Sequence, residues 1–374
     1  HEPFHWFIEF YGIMRAGGFD VIIGNPPYVE YSKVKKDYTI LGYKTENSGN
    51  LYALCTERSL TLLRTDARFG FIVQQPITST LRMANCRQVL VQKTTDLWVS
   101  TFDDRPSKLF DGMHHARLAI ILARVNDIEI PAPRIFVTSY NKWSKYERIF
   151  LFAKLQFINI EPKILDGVFP KFGTELETEL VGKVLVGRKP LETCLAQSLT
   201  PHCLFYKITG VGNWFTITTR PPKFLRGESV SSSTREATIP FTTTQLRDIA
   251  FCLLNSSLFY WFYQVRTNCR DFNPSDFRTF PIPTTLENDR LDNLANQLSD
   301  RLDEQSMMVS ASYQKTGNVS YEQFRPGAAK DLIDKIDAVL AQHYGFTDEE
   351  LDFIINYDIK YRMGSVVGED GDDE

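Results

Sequence analysis

GGFDVIIGNPPYVE, residues 17–30, decides how the rest of the chain is read. Phe19 to Ile23 is a short apolar run rich in β-branched residues, entered through a glycine pair and left through Gly24 and two prolines, the pattern of a buried strand with an abrupt end. Proline neither extends a strand nor donates to its ladder. Asn25, Pro26, Pro27 and Tyr28 are therefore expected in a rigid loop at the carboxyl edge of a sheet, the edge at which open α/β sheets bind ligands.

Such a loop suits a particular chemistry. The side-chain oxygen of Asn25 and the carbonyl of Pro26 together can accept two protons from one amino group, and Tyr28 offers a flat aromatic face beside them. An amine conjugated to a purine ring is a poor nucleophile because its lone pair is delocalised, and it gains positive charge as it attacks a methyl sulfonium. Fixed acceptors placed where that charge develops stabilise the transition state.

FDVIIGNPPY resembles motif IV of the amino-group methyltransferases that use S-adenosyl-L-methionine, in the form found in adenine-specific DNA methyltransferases of the type II and IIG restriction-modification class. The resemblance implies that Asn25 and Pro26 bind the adenine amino group, that Pro27 completes the catalytic loop, and that Tyr28 stacks on a base flipped out of the duplex. KLFDGMHHARLAIILARV, residues 108–125, resembles motif VIII of the same family, which implies that Phe110 contacts that base opposite Tyr28. Stacking is worth roughly 1 to 3 kcal/mol per aromatic partner, comparable with the few kcal/mol that extrusion costs. Methyltransferases acting on release-factor glutamine or ribosomal RNA also carry an NPPY or NPPF loop. The stretch LNSSLFYWFYQVRTNCRDFNPSDFRTFPIP, residues 254–283, resembles the close of a target-recognition region and favours duplex DNA over both.

The composition, with 43% hydrophobic and 24% charged residues among 374, is that of a globular protein long enough for two domains and an extension. Cys55, Cys86, Cys194, Cys203, Cys252 and Cys269 form no CxxC pair, so neither a metal site nor a disulfide framework is indicated. His114 and His115 have no further ligands at metal spacing and read as structural or solvent-facing. A reducing cytosol fits this usage, and the resemblance implies a bacterial or archaeal cytoplasm. The most apolar stretch, Ile249 to Val265, is interrupted by Asn255, Ser256 and Ser257 and reads as a buried helix rather than a membrane span. Net charge is −4, yet residues 131–285 carry 19 basic against 12 acidic side chains while residues 286–374 carry 8 against 20. A phosphate backbone favours the middle region.

Along the chain, helices are expected at Leu51–Leu63 and Arg82–Gln92, and strands at Phe69–Val73, Asp96–Phe102 and Leu118–Val125. IPAPR at residues 130–134 marks a change of pattern. RGESVSSSTREATIP, residues 226–240, reads as a polar, mobile loop. Helical spacing dominates Leu286–Met307, Ala329–Tyr344 and Asp348–Asn356. The expected organisation is α/β: residues 1–130 form the carboxyl-terminal half of a Rossmann-like class I S-adenosylmethionine-dependent methyltransferase sheet with the NPPY loop, 131–285 an α+β target-recognition domain that binds DNA, 286–364 a helical region, and 365–374 an acidic disordered tail. No glycine-rich turn for the methyl donor precedes Asn25, so the cofactor-binding residues are unassigned. The expected partners are double-stranded DNA and an upstream half or restriction subunit that completes the donor site. The alternatives are a non-catalytic DNA-binding remnant and an RNA or protein methyltransferase.

Overall fold

The structure is a computed structural model that describes residues 4–112, 116–126, 133–162, 164–283, 285–286, 290–313 and 317–364. His114, His115 and the acidic tail lie outside the described residues. The described residues divide into two compact units, one formed by residues 4–178 and 264–268, the other by residues 179–263 and 269–364.

The first unit is built on a mixed six-stranded sheet. Its strands are β1 (Phe19–Gly24), β2 (Leu63–Gln74), β3 (Thr94–Phe102), β4 (Leu118–Val125), β5 (Arg134–Asn141) and β6 (Ile158–Ile160), in the order β1-β2-β4-β3-β5-β6. β1 and β2 are parallel, as are β3 and β5, while β4 runs antiparallel between β2 and β3. The parallel pair β1–β2 needs a crossover, and the helix Leu51–Leu62 provides it. Asn50 caps that helix by accepting the amide of Tyr52 at 3.4 Å. The helix Ala84–Lys93 makes the corresponding link between β2 and β3.

Alternation along the central strands sends Phe69, Phe71, Val73, Ala119, Ile121, Ala123, Leu97 and Val99 to one face, where all are buried. The other face carries Ile23, Gly70 and Leu122 in register. There Ile23 is 80% exposed, Leu122 46% and, two residues before Ile23, Val21 56%. The expectation of a buried first strand is thus corrected: β1 is the edge of the sheet, paired on one side only among the described residues. Gly18 immediately precedes the strand at φ +121, and a Cβ there would lie 2.4 Å from the carbonyl oxygen of Leu62, so glycine is required where the chain passes the end of the crossover helix.

β5 and β6 extend the same sheet beyond the boundary expected at residue 130, and the compact unit runs on to residue 178. A strand that pairs with β3 along its length cannot be part of a separate body.

The helices Thr244–Asn255 and Ser257–Arg266, which belong to the second unit as far as Tyr263, replace the single helix expected over Ile249–Val265. Asn255 ends the first, donating to the carbonyls of Phe251 and Ile217. An aromatic core of Phe215, Phe259, Tyr263, Phe272 and Phe280 surrounds them. Asp337 is buried and accepts the amides of Ser257 and Leu258, each at 3.1 Å, at the start of the second helix.

Two expectations fail in this unit. Residues 226–240 are not a mobile loop: Phe224–Arg226 and Ser229–Ser231 pair as a hairpin around Gly227, whose φ is +61, and Glu236–Pro240 is a strand beside Cys203–Lys207. Glycine at the first of two turn residues is what a tight hairpin demands. Nor is the region 286–364 wholly helical. The helices Arg290–Glu304, Lys330–Tyr344 and Asp348–Asn356 are present, but Met307–Tyr313 and Gly317–Gln323 form a second hairpin that joins the first in a four-stranded antiparallel sheet.

Candidate active site

β1, β2 and β3 point the same way, so their carboxyl ends share one edge of the sheet. Residues 25–29 leave β1 there without regular structure. Asn25 and Pro27 are exposed and Pro26 is buried, which leaves the amide of Asn25 facing solvent beside a fixed backbone. The loop is fastened where it ends. Leu51 donates to the carbonyl of Val29 and Tyr31 to that of Gly49, each at 2.9 Å, while Glu30 accepts from Asn50 at 3.2 Å and pairs with Arg82.

Tyr28 is half-buried. Its hydroxyl donates to the carbonyl of Ile72 on β2 at 3.0 Å, and its ring meets Tyr52 edge-on at 6.2 Å. Burial pushes its phenol up to about 12, so the donor keeps its proton throughout the neutral range.

Phe110 lies on the connection from β3 to β4. Both Tyr28 and Phe110 pack, partly buried, against one cluster formed by Phe102, Leu109, Leu118, Trp143 and Leu151. Two residues 82 positions apart, singled out in the sequence for the same role, are thus brought to one hydrophobic patch at the carboxyl edge.

What holds the Phe110 loop is not visible in the local sequence. At its base, the Nε of Arg117 donates to Asp103 at 3.0 Å and to Asp104 at 3.1 Å. Burial pushes the Asp103 carboxyl up, against the pull of Arg117 and Lys142; at Asp104 burial is outweighed by the hydrogen bond to Asp103 and by Arg117, which hold it down. Nearer the tip, the two terminal nitrogens of Arg148 donate to the carbonyls of Lys108 and Leu109, each at 2.7 Å. A planar fork meeting consecutive carbonyls fixes the backbone just before Phe110. Arginines far apart in sequence carry no motif, and only the fold shows them together.

Among the described residues no group of three or more His, Cys, Asp or Glu side chains could hold a metal ion, and no helix is long and apolar enough to cross a membrane.

Comparison with known proteins gives the class that this part of the chain is similar to: the residues that carry the loop resemble a restriction-modification methylase. More particularly, residues 1–110 match the Eco57I restriction-modification methylase family. Over 122 residues, 32% of the chain, the sequence is 31% identical to RM.MjaORFECS2P of Methanocaldococcus jannaschii, named as a type II restriction enzyme and methyltransferase. The chain spans about a tenth of that relative's length, the matched region being 10% of it. Among solved structures, the type IIL restriction-modification enzyme MmeI in complex with DNA is 12% identical with a TM-score of 0.47, the match covering 92% of this chain and 57% of MmeI. The type IIG restriction endonuclease BpuSI is 11% identical with a TM-score of 0.33, over 92% of this chain and 55% of that one.

Proposed function

We propose that this chain carries the acceptor side of a DNA methyltransferase in a restriction-modification system, and that the methyl group passes from S-adenosyl-L-methionine to the exocyclic amino group of adenine in duplex DNA. The observation that carries this reading is the carboxyl edge itself. An exposed Asn25 follows β1 beside the fixed Pro26, and Tyr28 and Phe110 meet on one cluster there. The match of residues 1–110 to a methylase family supports it.

In this reading Asn25 and the Pro26 carbonyl accept the two amino protons and stabilise the charge that grows on nitrogen, while Tyr28 and Phe110 hold the extruded base. Pro27 keeps the loop rigid. The basic surplus of residues 131–285 faces the phosphate backbone, and the system operates in the cytoplasm.

The donor is a different matter. Among the described residues β1 has a neighbour on one side only, and no glycine-rich strand-turn-helix stands beside Asn25. The residues present do not make a complete seat for S-adenosyl-L-methionine. We assign that seat to polypeptide that pairs with the free side of β1, an upstream half or a restriction subunit.

The test is Asn25→Ala in a chain joined to its donor-binding half. Losing one acceptor from a transition state of this kind costs about 3 kcal/mol, or roughly two orders of magnitude in methylation rate, with duplex binding retained. Adenine methylation at the unmodified rate would show the loop to be structural and sink the reading.

A further inference from the structure

Residues 141–157 read NKWSKYERIFLFAKLQF, a run in which aromatic and basic side chains interleave. It leaves the end of β5, which is parallel to β3 and so opens on the same edge as the Tyr28 loop. Two sets of side chains divide. Trp143, Leu151 and Leu155 turn inward onto the cluster against which Tyr28 and Phe110 pack. Tyr146, Ile149 and Phe150 turn outward, Tyr146 81% and Ile149 80% exposed, while the Phe152 ring meets the buried Phe102 edge-on.

The turn that presents them is firmly built. Lys145–Phe150 is a short 3-10 helix closed by a capping box, in which the Glu147 carboxylate accepts both the amide and the hydroxyl of Ser144 at 2.9 Å. Arg148 ties the same turn to the backbone beside Phe110. Apolar side chains held out by a capped, anchored turn form a patch of the kind that marks an interaction site.

The charge decides the partner. Lys142, Lys145, Arg148 and Lys154 stand in residues 142–157 against Glu147 alone, and Glu147 is committed to the cap. The Lys154 ammonium lies 5.6 Å over the Phe150 ring. Cations alternating with exposed rings suit phosphates and unstacked bases. A duplex with one base extruded offers both, because the neighbours of the missing base lose a stacking partner.

We propose that the 142–157 segment is a wedge for DNA: Tyr146 and Ile149 pack on the bases flanking the extruded nucleotide while Lys145 and Lys154 contact the backbone. This rests on the base-extruding reading above and deepens it. Arg148 is a positioning residue, joining the wedge to the Phe110 wall.

The test measures, by fluorescence anisotropy, binding of the full chain to a labelled duplex containing one unmatched adenine and to its fully paired counterpart. The unmodified chain prefers the unmatched duplex. Tyr146→Ala with Ile149→Ala lowers affinity for it about tenfold, near the lower bound for removing a stacking ring, and leaves the paired duplex unchanged, whereas Tyr146→Trp retains the preference. Lys145→Gln with Lys154→Gln weakens both duplexes and reduces the slope of log affinity against log salt by about one to two. Unchanged affinities in the Tyr146 and Ile149 double variant overturn the wedge while leaving the base-extruding reading intact. A double variant that loses only association with a protein subunit assigns the patch to that subunit and overturns it too. An unmodified chain that binds neither duplex overturns both the wedge and the DNA reading beneath it.

Discussion

The phenol of Tyr28 is tied to the carbonyl of Ile72 by a 3.0 Å hydrogen bond, so a ring that leaves β1 is held by its edge to β2. Tyr28→Phe keeps the ring and loses this tether. Chemical denaturation of this variant is expected to show a loss of about 0.5 to 1.5 kcal/mol, the net worth of one hydrogen bond. Tyr28→Ala also loses the stacking face, and capture of an extruded base, followed with 2-aminopurine fluorescence, weakens by roughly 1 to 3 kcal/mol. Equal capture by the Ala and Phe variants would remove Tyr28 from the site.

Arg148 governs the loop that bears Phe110. Arg148→Ala frees the carbonyls of Lys108 and Leu109, and because Arg148 itself is exposed the expected loss of global stability is small, about 1 kcal/mol. Local order suffers more. Hydrogen exchange of residues 105–112 is expected to quicken in this variant while the amides of β3 and β4 keep their protection, and Arg148→Lys, with one point charge in place of a fork, falls between.

The free side of β1 is an association hazard for an isolated chain. Ile23 is 80% exposed, so Ile23→Lys leaves the core intact and places a charge on the apolar face. Sedimentation velocity at rising concentration should show self-association of the unmodified chain and a marked reduction in the variant. If both sediment as monomers throughout, the face is not sticky and needs no cover.

Asp337 gives the second unit a pH response. Burial pushes its carboxyl up to about 6, against the pull of the amide bonds from Leu258 and Ser257. A folded-state pKa raised above the unfolded value means that its contribution is complete below about pH 4 and is lost as pH rises through about 6. A shift of this size corresponds to roughly 1 to 3 kcal/mol. Asp337→Asn removes the titration, so the stability difference between variant and unmodified chain moves in favour of the variant between pH 4 and pH 7.5. Thermal unfolding across that range checks it, and a pH-independent difference would rule it out.

An isolated fragment of residues 131–285 is a poor vehicle for locating DNA binding. It would carry away β5 and β6 from the sheet in which they pair.

The local pattern of the chain was enough for its regular elements. β4 falls on Leu118–Val125 and the last long helix ends on Asn356 as the apolar spacing requires, because burial on a strand or helix imposes a period that short windows reveal. The NPPY loop was legible for a similar reason: two prolines and a glycine stop a strand whatever surrounds it. What sequence missed lacked such a local imprint. The strands within residues 224–231, 307–313 and 317–323 contain several serines and show no strong alternation, and the two hairpins are joined by pairing across about 95 positions. That β1 stands at the sheet edge among the described residues, that Arg148 grips the Phe110 loop, and that Tyr28 and Phe110 share one cluster were decided by the tertiary fold. Periodicity tells a residue which side it turns to the core, but only the closing of distant segments decides what stands on the other side.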